Sequence, residues 1–96
     1  MTTPPIELDG APVLWFTPPH PELNYGTVCY ADENREETIS ALAICQYPGN
    51  DAIFVFACNL KWQVIGDLMY YSVEEAKKDT ERYYNNGRSI YWVKFE

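Results

Sequence analysis

Ala52-Ile53-Phe54-Val55-Phe56-Ala57-Cys58 is apolar at every position, with Pro48-Gly49-Asn50-Asp51 before it and Asn59-Leu60-Lys61 after it. A short run between turn signals, apolar on both parities, predicts a central strand with both faces covered. Upstream, Thr38 to Gln46 has strand length and apolar character, although its alanines leave helix as a rival. Downstream, Trp62 to Tyr70 returns as a third strand. Pro-Gly-Asn-Asp is a strong turn signal, so the three runs read as an antiparallel meander.

After the meander the period changes. Ser72 and Glu75 form an S-x-x-E capping box, in which the hydroxyl accepts from the N3 amide and the carboxylate reaches back to the cap. Glu74 and Glu75 suit the first turn of a helix, and Glu74–Lys78 and Lys77–Glu81 are i,i+4 pairs of opposite charge. Val73, Ala76, Thr80 and Tyr83 form a narrow inner stripe, and Asn85-Asn86-Gly87 supplies a left-handed stop. Ser89 to Phe95 then reads as a strand with Tyr91, Val93 and Phe95 on one face and Ile90 and Trp92 on the other. Ahead of the meander, Val13 to Phe16 and Gly26 to Ala31 are further strand candidates. The expected fold is a single α+β domain: an antiparallel sheet of five to six strands with one amphipathic helix on one face.

One helix covers one face only. The second face needs sheet curvature, another chain, or the proline-rich arm over residues 1–21. Six of the seven prolines fall at positions 4, 5, 12, 18, 19 and 21, which argues against helix or central strand there. Thr2-Thr3-Pro4-Pro5 is expected to be a loose tail and Thr17-Pro18-Pro19-His20-Pro21 a stiff, extended connection.

The chain has 96 residues, 47% of them hydrophobic and 22% charged, which is ordinary globular composition. Fourteen acids against seven bases leave a net charge of −7, which disfavours nucleic acid and anionic membranes as partners. No apolar run approaches the roughly 20 residues of a membrane span. Met1 to Gly10 lacks the basic and apolar regions of a signal peptide, so a cytoplasmic protein is expected. Cys29, Cys45 and Cys58 are expected to be reduced and buried.

The excess charge is confined to the first 60 residues. There Glu7, Asp9, Glu22, Asp32, Glu33, Glu36, Glu37 and Asp51 face only Arg35, while residues 61–96 balance six acids with six bases. Asp32, Glu33, Glu36 and Glu37 cluster around Arg35. They read either as a solvated loop between strands or as a patch that attracts a basic partner. Trp62, beside a turn, is the tryptophan expected to be partly exposed and to anchor an interface.

Catalytic and metal signatures are missing from the sequence. His20 is the one histidine, and no motif surrounds any cysteine. There is no C-x₂-C knuckle, EF-hand spacing, P-loop or G-x-G-x-x-G. No cofactor and no metal are expected.

Residues 52–93 carry a family resemblance. Ile53 to Cys58, Trp62-Gln63-Val64-Ile65-Gly66-Asp67, Ser72-Val73-Glu74-Glu75-Ala76, Tyr84 and Trp92 resemble a pattern in small bacterial proteins, some similar to immunity proteins of polymorphic toxins. The resemblance implies a non-enzymatic inhibitor of a toxin. With the acidic cluster, the expected function is protein binding through Asp32, Glu33, Glu36, Glu37 and Trp62. The alternatives are a small-ligand-binding domain or enzyme using an aromatic cleft of the sheet, and a homodimeric domain.

Overall fold

The computed structural model describes residues 3–19, 25–30, 33 and 35–96. Eight strands and one helix follow in the order β1 (Glu7–Leu8), β2 (Ala11–Phe16), β3 (Thr27–Tyr30), β4 (Arg35–Thr38), β5 (Ala41–Cys45), β6 (Ile53–Cys58), β7 (Val64–Tyr70), α1 (Val73–Asn85) and β8 (Val93–Lys94). The main sheet runs β1-β2-β5-β6-β7, with β8 also paired to β2, and β3-β4 form a separate two-stranded sheet. Every pairing is antiparallel. This is the α+β architecture expected, and the β5-β6-β7 meander is its centre.

Alternation explains both layers of core. Leu42 and Ile44 of β5 with Ile53, Val55 and Ala57 of β6 face α1, where Ala76 and Ile90 join them. Ala41, Ala43 and Cys45 with Phe56 and Cys58 face the other way, against Leu8, Val13, Phe16 and Trp62. The second face is therefore covered by curling together with residues 8–16 of the proline-rich arm. Small side chains on β5 let the sheet bend, and the β1-β2 hairpin closes over the concave side as part of the same sheet. Val93 and Phe95 pack on this face and Trp92 on the helix face, so the parity expected for the last strand holds while its paired length shrinks to two residues.

The proline-rich start differs from expectation. Asp9 (φ 50°) and Gly10 (φ 82°) occupy the left-handed region, and Leu8 pairs with Ala11 across them. That is a two-residue hairpin turn of the Asp-Gly kind, whose positive φ values match the twist of the flanking strands. Pro12 sits within β2 opposite Glu7, and its carbonyl accepts from the Gln46 amide.

At the helix start Ser72 Oγ accepts from the Glu75 amide at 3.0 Å. Glu75 reaches back to the Tyr71 amide at 3.2 Å, one residue before the cap. Asn86 (φ 55°) and Gly87 (φ 81°) end the helix, and the Gly87 amide donates to the Glu81 carbonyl. Ala76 and Thr80 are buried as expected, but Tyr84 packs on the core while Tyr83 is 67% exposed. The two charge pairs expected along the helix do not form. Lys77 stands over the Trp15 ring at 3.4 Å, Glu81 accepts from the Ile90 amide, and the helical ion pair is Asp79–Arg82 at 3.1 Å. No helix of the described residues is long and apolar enough to cross a membrane.

Candidate functional site

The C-terminal half of the acidic cluster is strand, not loop. Arg35, Glu36 and Glu37 lie on β4, paired with Tyr30, Cys29 and Val28 of β3, and Glu33 lies at the tip between the strands. Cross-strand partners share a face, so Val28, Tyr30, Arg35 and Glu37 lie on one side and Cys29 and Glu36 on the other. Val28 joins the core on the helix side of the main sheet. A Cβ placed on Gly66 of β7 would come within 4.0 Å of it. The hairpin thus rests on the body through the Val28 face, and Glu37 is carried inward with it.

Three groups hold Glu37. Tyr30 Oη donates to Oε1 at 2.9 Å, Asn59 Nδ2 donates to Oε2 at 2.9 Å, and Arg35 lies 3.4 Å from Oε1. The Asn59 and Tyr30 hydrogen bonds, with Arg35 nearby, hold the Glu37 carboxyl below the usual range. The same contact pushes the Tyr30 phenol up, because an ionised oxygen would lose the bond and face a carboxylate. Arg35 also pairs with Glu33 at 3.0 Å and lies over the Tyr30 ring, 4.1 Å from its centroid.

Glu36 differs from Glu37 by one step of a period-two strand. It is exposed on the outer face, where among the described residues its partner is the Cys29 thiol at 3.7 Å. Glu33 is exposed at the tip. The four acids expected to act together are therefore split: Glu33 and Glu36 face solvent, Glu37 anchors the hairpin, and Asp32 lies outside the described residues. Cys29, expected in the core, is exposed because it shares the outer face with Glu36. Cys45 and Cys58 are free and buried, and burial pushes each thiol up to about 12.

Beneath the hairpin a groove of about 290 Å³ is lined by Glu37, Ser40, Asn59, Leu60, Lys61 and Gln63 among others. The Asn59 side chain organises the turn, accepting from the Lys61 and Gln63 amides and donating to Gln63 as well as Glu37. That turn forces Trp62 into the left-handed region at φ 62°. Such a conformation costs on the order of 1–3 kcal/mol for a bulky residue. Burial offsets it: Trp62 is 8% exposed and meets Phe16 edge-on at 6.1 Å. The expectation of a partly exposed Trp62 is therefore corrected; the positive φ turns the indole into the concave core. No signal in residues 59–63 beyond the Asn announces that inversion.

Among the described residues no three His, Cys, Asp or Glu side chains come together as metal ligands. His20, the one histidine of the sequence, lies outside the described residues.

The structure so defines a class: an α+β domain with a curled antiparallel sheet, one covering helix and an acidic satellite hairpin. Comparison with protein-family models, curated proteins and solved structures finds no match to the chain.

Proposed function

We propose that the chain is a non-enzymatic protein-binding domain that docks on a basic partner surface through the tip and outer face of the β3-β4 hairpin, in the manner of an immunity-type inhibitor. The observation that supports this reading is the division of labour among the acids. Glu37 is spent on fixing the hairpin to Asn59, and this holds Glu36 outward and Glu33 at the tip. A charge presented on a fixed element keeps its direction, which raises the encounter rate with a complementary surface and selects the partner. The thiols of Cys45 and Cys58, buried and pushed up to about 12, are poor nucleophiles.

The test is to isolate the partner by affinity capture from the host of this chain and measure the salt dependence of the purified pair. A basic partner whose affinity falls steeply with salt supports the proposal. A neutral or acidic partner, or salt-independent binding, contradicts it.

A further inference from the structure

The described asparagines Asn50, Asn59, Asn85 and Asn86 differ in how they are held. Asn50 Oδ1 accepts from the Ala52 amide, and Asn59 is bonded through both ends of its carboxamide. Asn85 Nδ2 donates to the Arg88 carbonyl at 3.0 Å and to the Ser89 carbonyl at 3.1 Å. Asn86 is exposed, and among the described residues no hydrogen bond holds its side chain. It is also the described asparagine that glycine follows. Gly87 is exposed and has no side chain to block approach to its nitrogen, and a Cβ built on it would meet nothing within 4 Å.

A free carboxamide followed by an unhindered backbone nitrogen is a self-reacting pair. The helix cap restrains it. The Gly87 amide donates to the Glu81 carbonyl at 3.0 Å, and Asn86 holds the turn left-handed at φ 55° and ψ 35°. While that bond stands, the nitrogen cannot lose its proton and turn on the side chain. The end of a helix opens more readily than its middle, so the restraint is intermittent.

We propose that Asn86 is a site of spontaneous deamidation, gated by opening of the α1 cap. In the opened turn a solvent base takes the Gly87 amide proton, and the nitrogen attacks Cγ of Asn86. The new C–N bond closes a five-membered succinimide, and Nδ2 takes up a proton and leaves as ammonia. Water then adds to either ring carbonyl and breaks its bond to the ring nitrogen, giving aspartate or isoaspartate. One water is consumed and one ammonia released, with no change of oxidation state.

The product alters the helix end. Both forms add a negative charge at the C-terminus of α1, where the helix dipole disfavours it, in a chain of net charge −7. Isoaspartate also lengthens the main chain by one carbon, so the Gly87 amide no longer meets the Glu81 carbonyl in register. Glu81 holds the Ile90 amide as well, so the approach to β8 loosens with the cap. The inference rests on residues 81–90 and does not depend on the function assigned to the hairpin.

The test incubates the full chain in its native state and, in parallel, unfolded in guanidinium. Digested samples are followed by mass and by separation of the aspartate and isoaspartate forms, and hydrogen exchange gives the protection factor of the native Gly87 amide. In the native chain, conversion is expected at Asn86 before Asn50, Asn59 or Asn85, with both products present. It should be slower than in the unfolded chain by about the Gly87 protection factor, since both events need the same bond to open. Gly87→Ala should slow conversion several-fold in the unfolded chain, where the cap plays no part. Equal rates in the native and unfolded chains, earlier conversion at Asn50, Asn59 or Asn85, or an unfolded rate unchanged by Gly87→Ala would each overturn the proposal. So would an intact Asn86 in the native chain after the time that the unfolded rate and the protection factor set.

Discussion

Ile44 and Glu37 lie close together on one bent stretch of chain, and physical chemistry treats them oppositely. Ile44 on β5 is fully buried between β2 and β6, in register with Val55. Glu37 on β4 is held by three polar groups at the rim of the body. The main sheet is stabilised by apolar burial, an area-proportional and non-directional term. The β3-β4 hairpin is attached by Val28 and by directed hydrogen bonds to one carboxylate. A two-stranded ribbon is marginal alone, so its attachment decides whether it holds its shape. The body therefore carries the stability, while the hairpin carries charge at positions that stability does not need.

That contrast is broken most forcefully in the body. Ile44→Ala removes a fully buried side chain and should cost about 2–5 kcal/mol in urea denaturation. A loss under about 1 kcal/mol would mean that the sheet collapses around the gap and that the division is wrong. Ser72→Ala should cost about 0.5–2 kcal/mol through loss of the bond to the Glu75 amide. An unchanged midpoint would show that Glu75 and the rest of the box hold the helix start without it.

At the hairpin the effect depends on pH. The folded carboxyl of Glu37 lies below its ordinary value of 4.5. Its contribution is therefore present above that value and is lost as pH falls through the lower, folded one. Wild type should lose hairpin order below about pH 4.5, reported by Tyr30 and Asn59 shifts, while Glu37→Gln should show no such step. A step that survives in Glu37→Gln would assign it to another acid. The smallest change is expected on the outer face. Glu33→Gln with Glu36→Gln should alter stability by no more than about 0.5 kcal/mol. A larger loss in denaturation would make these acids part of the frame.

The legibility of each region follows the same division. The meander and the helix start were readable because apolar runs, turn residues and a capping box are local signals that the tertiary structure had no reason to override. The β1-β2 hairpin was hidden in plain view: Asp9-Gly10 is a hairpin turn pair, but the flanking prolines argued for irregular chain. Pro12 is tolerated in β2 because it pairs with the two-residue strand β1 at the sheet margin and still offers its carbonyl to Gln46. β4 was illegible because Arg-Glu-Glu-Thr has poor strand propensity; pairing with Thr-Val-Cys-Tyr and anchoring at Asn59 overrode it. From Thr80, both Tyr83 and Tyr84 satisfy a helical step, and only the packing of Tyr84 decides between them. Trp62 depended on a backbone inversion set by Asn59, a feature of the folded turn and not of any pattern. For the proposed site, the sequence marked the acidic segment but could not separate Glu36 from Glu37, since that distinction requires knowing which face of β4 meets the body.

The central claim is that the acids held outward serve encounter and the acid held inward serves attachment. Its most direct test is the association rate with the captured partner at low and high salt, comparing wild type with the Glu33→Gln/Glu36→Gln variant, in which Glu37 is retained. The account predicts an unchanged melting curve, an association rate at low salt reduced several-fold, and a flatter salt dependence. An association rate equal to that of wild type at low salt would contradict it.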